Sequence, residues 1–194
     1  MKYKFIAVEG NIGAGKTTLA QLLAEKLNAQ LVFEEFAHNP LLPAFYVDPE
    51  THAFRLELSF LADRCEQLRK LSGQNEKVII SDYIIDKSLV FARNNLKEGE
   101  YALFERIFHQ AISGLPVPDL LIYINSPLNK LQQNILHRGR PYEQMIAGEY
   151  LTRIEELYKA YLETLTIPVL NVNADAWHSD NNSIIVNSLL DELQ

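Results

Sequence analysis

A glycine-rich stretch near the amino terminus constrains this chain more than any other feature. Lys4 to Val8 is a short apolar run, long enough for a buried strand. From Gly10 the spacing is Gly-x-x-x-x-Gly-Lys-Thr, running through Asn11, Ile12, Gly13 and Ala14 to Gly15, Lys16 and Thr17, with Thr18 next. Leu19, Leu22, Leu23 and Leu27 then recur at helical spacing. Strand, glycine loop and helix in that order predict a phosphate-binding loop. Glycines let backbone N–H groups turn inward around phosphate oxygens where a Cβ would collide. The new helix points its positive end at the same place. Residues 10–18 are therefore expected to hold the phosphates of a nucleoside triphosphate, with Lys16 reaching the β- and γ-phosphates and the Thr17 hydroxyl helping to hold Mg²⁺. A glycine-containing turn that binds nothing is the competing reading, and it gives no reason for Lys16 and Thr17 to follow.

Size and charge narrow the class. A chain of 194 residues can bury a sizeable core as one domain, and no repeat, low-complexity segment or long linker divides residues 1–194. No apolar run approaches a membrane span, and Lys2 and Lys4 are not followed by a signal-peptide core. A formal net charge of -7 argues against a broad nucleic-acid or acidic-membrane surface, though not against a small basic site for a phosphate ligand. Cys65 is the only cysteine, which excludes an intramolecular disulfide and suits a reducing cytoplasm. The histidines show no metal-ligand spacing.

Along the chain, residues 30–33 read as a second strand ending at Glu34 and Glu35. Pro40 and Pro43 then predict a break in regular structure. Residues 50–71 form one long expected helix, with Phe54, Leu58, Leu61, Cys65 and Leu68 on its apolar stripe. A third strand covers 77–81 and reaches Asp82; helices follow over 85–96 and 100–113. A fourth strand spans 120–124, a short helix starts at Leu128, another covers 148–165, and a fifth strand over 169–172 precedes a closing helix at 183–193. Strands alternating with helices predict an α/β fold with a five-stranded parallel sheet covered on both faces. Ligands of such sheets bind beyond the carboxyl ends of the strands, where residues 10–17, Glu34, Asp82, Asn125 and Asn173 fall.

Four pieces carry a family resemblance: Glu-Gly-Asn-Ile-Gly-Ala-Gly-Lys-Thr-Thr at 9–18, Phe-Glu-Glu-Phe at 33–36, Asn-Pro-Leu-Leu-Pro-Ala-Phe-Tyr at 39–46, and Arg-Gly-Arg-Pro-Tyr-Glu-Gln at 138–144. The first is shared by very many nucleotide binders; the others are more specific. Together they resemble the deoxynucleoside kinases, P-loop phosphotransferases, over nearly the whole chain. The resemblance implies an ATP- and Mg²⁺-dependent kinase of a deoxynucleoside 5′-hydroxyl in nucleotide salvage, with deoxyguanosine or deoxyadenosine as the acceptor, and a homodimer. It also implies site roles. Glu34 is the expected general base; chemistry alone does not choose between it and Glu35, and the spacing to Asn39-Pro40 favours Glu34 by analogy with bacterial members. Arg138 and Arg140 lie in a lid, about residues 137–147, whose guanidiniums can close over the transferring phosphoryl group. Glu143 and Tyr46 resemble the pair that grips the sugar 3′-hydroxyl. Asp175, after the fifth strand, falls where relatives wrap the adenine of ATP.

Glu57 and Arg64 are seven residues apart on the long helix and share a face. In related kinases that face carries a glutamine and an arginine that read the base. A carboxylate only accepts hydrogen bonds, so two adjacent donors suit it, and guanine's N1–H and 2-amino group supply them. A plain Glu57–Arg64 ion pair is the competing reading. The chain departs from the family at Asp82-Tyr83, where an acidic residue is usually followed by arginine. Asp82 can still attract Mg²⁺ through water. Lys87 is the candidate to replace the missing charge, and it or Ser88 falls near the family's base-contacting aspartate, a role open also to Asp86. Two alternatives stay open: a thymidylate-type nucleoside monophosphate kinase, and a nucleotide-binding protein whose catalysis is weak.

Overall fold

The computed structural model describes residues 2–35, 39–71, 77–174 and 182–193. Its strands are β1 (Phe5–Gly10), β2 (Gln30–Val32), β3 (Ile79–Ser81), β4 (Leu120–Asn125) and β5 (Val169–Asn173). Its helices are α1 (Lys16–Leu27), α2 (Leu41–Val47), α3 (Pro49–Leu71), α4 (Lys87–Asn95), α5 (Glu98–Ala111), α6 (Leu128–Arg138), α7 (Gly148–Leu162) and α8 (Asn182–Leu193), with a 3₁₀ turn over Pro141–Met145. Every position of β1 is buried, and its side chains alternate between the two faces of the sheet. Ile6 and Val8 join Leu19 and Leu23 of α1, Leu131 and Ile135 of α6 and Leu189 of α8 in one cluster. On the opposite side Phe5 packs with Leu61 and Leu68 of α3 and Phe104 and Phe108 of α5. A strand apolar on both faces belongs at the centre of a parallel sheet.

All pairings are parallel, in the order β2-β3-β1-β4-β5. The chain runs from β1 outward through the β2 side and returns to add β4 and β5 on the other, so β1 lies at the point where the order reverses. Register does the rest. Ser81 pairs with Ala7 on one side and with Val32 on the other, which brings the loop after β1, Glu34 and Asp82 to one edge.

Two local expectations need correction. The break at Pro40 and Pro43 is instead a short helix, α2. Pro43 lies in its first turn, where backbone N–H groups have no intrahelical acceptor and the missing donor removes nothing. The lid is less of a loop than its glycine and proline suggested: α6 continues through Arg138, Gly139 ends it at φ 69, and the 3₁₀ turn follows. Among the described residues no helix is long and apolar enough to cross a membrane.

Candidate active site

A cleft of about 720 Å³ opens at the carboxyl edge of the sheet. One end is the loop between β1 and α1. Gly13 adopts φ 84, and a Cβ there would lie 2.8 Å from the Leu131 carbonyl oxygen, so the turn needs glycine. Lys16 folds back, its Nζ donating to the carbonyls of Gly10 (2.7 Å) and Asn11 (2.9 Å). The Asn11 side chain is turned away and donates to the Leu151 carbonyl. Behind the loop Glu9 is fully buried; it accepts the Gly10 and Ile84 N–H groups and lies 3.7 Å from Lys16 Nζ. Burial, aided by the Lys87 charge, pulls the Lys16 ammonium down to about 8 against the opposing pull of Glu9, Glu34 and Asp82.

Asp82 joins this end to the middle of the cleft. Thr17 Oγ1 donates to Asp82 Oδ2 at 2.6 Å, and the Glu34 backbone N–H donates to Asp82 Oδ1 at 2.7 Å. Burial raises the Asp82 pKa. Among the described residues no cluster of three or more His, Cys, Asp or Glu side chains could cage a metal. The hard oxygens of Thr17 and Asp82 do fit Mg²⁺, which typically takes one or two protein ligands and completes its shell with water and substrate phosphates.

The Glu34 side chain is 9% exposed and held by two cations. Arg64 donates through Nε (2.8 Å) and Nη2 (2.5 Å) to Oε1, and Lys87 Nζ donates to Oε2 at 2.7 Å. Burial alone would raise its pKa, but Lys87 and Arg64 outweigh it and hold the carboxyl at about 2. Lys87 thus brings a charge to Glu34 from the first turn of α4. Tyr83, where the resemblance leads us to expect an arginine, is buried in the α3–α5 core with its hydroxyl donating to Gln67.

Beyond Glu34 the cleft is walled by α3 and α4. Glu57 does not pair with Arg64, whose remaining Nη1 donates to Ser88 at 2.7 Å. Glu57 accepts instead from a neutral donor, Asn95 Nδ2, at 2.7 Å through Oε1, and its Oε2 has no hydrogen-bond partner among the described residues. Burial pushes this carboxyl up to about 7, opposed by the Asn95 bond and by Arg64 and Lys87. Over the opposite rim Arg138 and Arg140 both donate to the buried carboxylate of Glu143, Arg140 at 3.1 Å. Tyr46 stacks on Tyr142 with ring centroids 5.9 Å apart, and burial raises its hydroxyl pKa.

The structure brings Lys16, Thr17, Thr18, Glu34, Tyr46, Glu57, Arg64, Asp82, Lys87, Arg138, Arg140 and Glu143 to one cleft. Asp86 is not with them: as the residue preceding α4 it turns from the cleft toward Tyr161, and burial raises its pKa. Asp175 lies outside the described residues. Sequence reading missed Glu9 and Asn95, and it named Ser88 only beside a base-contacting position, not as the acceptor of the Arg64 bond that it is. Asn95 carried a usable signal, because Lys87, Phe91 and Asn95 recur every four residues on one helix and all line the cleft. Lys130 and Asn134 on α6 show the same step.

Comparison with known proteins assigns the chain by sequence and by fold. Residues 6–193 match the family model described as deoxynucleoside kinase. The chain is 36% identical over 180 residues to deoxyguanosine kinase of Bacillus subtilis, covering 89% of this chain and 87% of that protein. To deoxyadenosine kinase of Dictyostelium discoideum it is 31% identical over 175 residues, covering 87% and 71%. The solved structure of deoxyadenosine kinase from M. mycoides superposes with a TM-score of 0.84 at 23% identity, over 96% of this chain and 99% of that one, which shows a shared fold.

Proposed function

Since the chain belongs to the deoxynucleoside kinase family and is a phosphotransferase, we propose that it moves the terminal phosphoryl group of ATP to the 5′-hydroxyl of a purine deoxynucleoside, with deoxyguanosine preferred. The observation that carries this reading is the bridge made by Asp82. One carboxylate ties the Thr17 hydroxyl of the phosphate loop to the backbone of Glu34, a buried carboxylate whose charge acts on that loop's Lys16. A phosphate-holding end and a hydroxyl-accepting end are thereby fixed relative to each other.

Mg²⁺, held by Thr17 and through water by Asp82, would offset charge on the β- and γ-phosphate oxygens. Lys16 adds its ammonium to the same oxygens by exchanging its bonds to the Gly10 and Asn11 carbonyls for phosphate. Glu34 stays ionised and orients the 5′-hydroxyl. Arg64 takes both its bonds on Oε1 and Lys87 takes one on Oε2, which leaves Oε2 a lone pair for the substrate. A carboxylate this acidic is a weak proton acceptor, which suits a loose transition state in which positioning outweighs early proton removal. Arg138 and Arg140 transfer from Glu143 to the phosphoryl oxygens as the lid closes, and Glu143 with Tyr46 takes the sugar 3′-hydroxyl. Glu57 meets the base. Its two oxygens suit guanine's N1–H and 2-amino donors, whereas adenine would set an acceptor against one of them. Support comes also from the deoxyguanosine kinase name of the Bacillus subtilis relative.

Incubation with γ-labelled ATP and a panel of deoxynucleosides and their monophosphates tests this. Label should enter deoxyguanosine fastest and deoxyadenosine next. Label entering only monophosphates would make the protein a monophosphate kinase, and no transfer would leave a nucleotide-binding protein. Family membership also leads us to a homodimer, which light scattering of the purified protein tests, and the single cysteine to a reducing cytoplasm.

A further inference from the structure

We infer that the proton on Glu57 Oε2 selects the base: ionised Glu57 accepts guanine, and protonated Glu57 accepts adenine. The inference rests on the base-reading role given to Glu57 above and goes beyond it by making the preference depend on pH. The geometry is asymmetric. Oε1 already accepts a hydrogen bond from Asn95, and Oε2 is buried, unpartnered among the described residues, and carried by a residue that lines the cleft. A proton therefore goes to Oε2, because one on Oε1 would meet the Asn95 N–H.

Protonation inverts what the base meets. Ionised, Glu57 shows two acceptors, the complement of guanine's adjacent N1–H and 2-amino group. Protonated, it shows a donor at Oε2 and an acceptor at Oε1, the complement of adenine's N1 and 6-amino group. Each form faces the wrong base with a clash, O–H against N1–H in one case and a lone pair against a lone pair in the other. The groups around it leave the balance open. Arg64 on α3 and Lys87 on α4 favour the charge, but both spend their bonds on Glu34. Glu34 opposes it, Asn95 is neutral, and the Tyr150 hydroxyl of α7 stays protonated because burial raises its pKa well above neutrality. With burial the largest influence, the carboxyl titrates at about 7.

The test is competition between deoxyguanosine and deoxyadenosine for the wild-type enzyme in one vessel, from about pH 6 to about pH 8. Phosphate chemistry, lid closure and Glu34 are common to both acceptors and cancel from the ratio of kcat/KM values. The deoxyguanosine-to-deoxyadenosine ratio should rise by about tenfold or more across that range. Glu57→Gln, which keeps the volume and cannot titrate, should give a flat ratio shifted toward deoxyadenosine. A flat wild-type ratio, or an equal slope in Glu57→Gln, overturns the inference. The two readings fail separately: a flat wild-type ratio with a shifted preference in Glu57→Gln removes the switch and keeps the base contact. An unchanged order of preference in the variant removes both. A flat wild-type ratio overturns the inference even if Glu57→Gln does not fold, and Glu57→Leu, which also cannot titrate, then serves as the variant whose equal slope would overturn it.

Discussion

Glu34 and Glu57 are two buried carboxylates in one cleft, and their environments drive them in opposite directions. Burial raises the pKa of both, so desolvation alone would make both reluctant to ionise. The difference lies in their partners. Glu34 receives a guanidinium and an ammonium directly and is held at about 2; Glu57 receives a neutral amide and rises to about 7. The same two cations serve both residues, but only Glu34 is in contact with them. One carboxylate is thereby fixed as an anion, as the hydroxyl-orienting role proposed for it requires, and the other is left able to change its hydrogen-bonding pattern. Pairs of acids pushed apart in this way mark a division of labour within a site.

The comparison is broken most sharply at Glu34. Glu34→Gln should lower kcat by ~10²-fold, the scale of a mispositioned reacting group, while the exposed Glu35→Gln should leave it near wild type. The reverse result would mean that the wrong carboxylate has been given the role. Removing one cation tests the partners instead. Lys87→Met leaves Glu34 buried with Arg64 alone and should cost about 3 kcal/mol or more of stability in denaturant titration. Because Glu34 and Lys87 are in direct contact, the double variant Glu34→Gln/Lys87→Met should lose less than the sum of the two single losses. Additive losses would show that the 2.7 Å contact carries no coupling.

Glu57 offers a smaller and differently signed effect. Its pKa is raised on folding, from 4.5 to about 7, so the folded state binds the proton more tightly than the unfolded chain. The contribution is therefore fully present below about pH 4.5 and is lost as pH rises through about 7. Its full size is on the order of 3 kcal/mol, at 1.36 kcal/mol per pKa unit. Relative to Glu57→Gln, the wild type should lose stability between about pH 5 and about pH 8 in parallel thermal melts. Equal pH profiles for the two would show that Glu57 titrates near its ordinary value, and the contrast with Glu34 would shrink to the partners alone.

How legible these residues were in the sequence follows from how each is positioned. The phosphate loop is contiguous, and its conformation is set by its own glycines, so Gly13, Lys16 and Thr17 could be read locally. The sheet was readable because β1, β3 and β4 each open with an uninterrupted apolar run, Phe5 to Val8, Ile79 to Ile80 and Leu120 to Ile124. Glu57 and Arg64 could be placed on one helical face, but a shared face does not say which partner each side chain takes. Arg64 bonds Glu34 across a separation of 30 residues, and that choice depends on how α3 lies against the end of β2. Asp86 and Lys87 are adjacent, and the turn that starts α4 sends one toward Tyr161 and the other to Glu34. No spacing rule separates two neighbours at a helix start.

The third carboxylate, Glu143, gives the smallest expected effect and the finest test. It too is buried and bound by two cations, but its arginines remain 35% and 30% exposed where Arg64 and Lys87 are 5% and 7%. Water screens the exposed pair, so the bonds that Arg138 and Arg140 make to Glu143 are cheaper to exchange than those on Glu34. Exchange is what the proposed lid closure needs: the guanidiniums would have to leave Glu143 to reach phosphoryl oxygens whose charge grows in the transition state. Arg138→Ala and Arg140→Ala should each lower kcat about tenfold with little change in the deoxynucleoside KM, since an interaction made only in the transition state is lost from turnover and not from binding. If KM rises and kcat holds, the arginines bind ground-state substrate, and the lid pair acts as Arg64 and Lys87 do, as a fixed frame. Glu143→Gln separates the cases further. Freed from their carboxylate, exchangeable arginines should keep most of their effect on kcat while KM rises through the lost 3′-hydroxyl contact, whereas fixed ones would lose their position and kcat would fall with it.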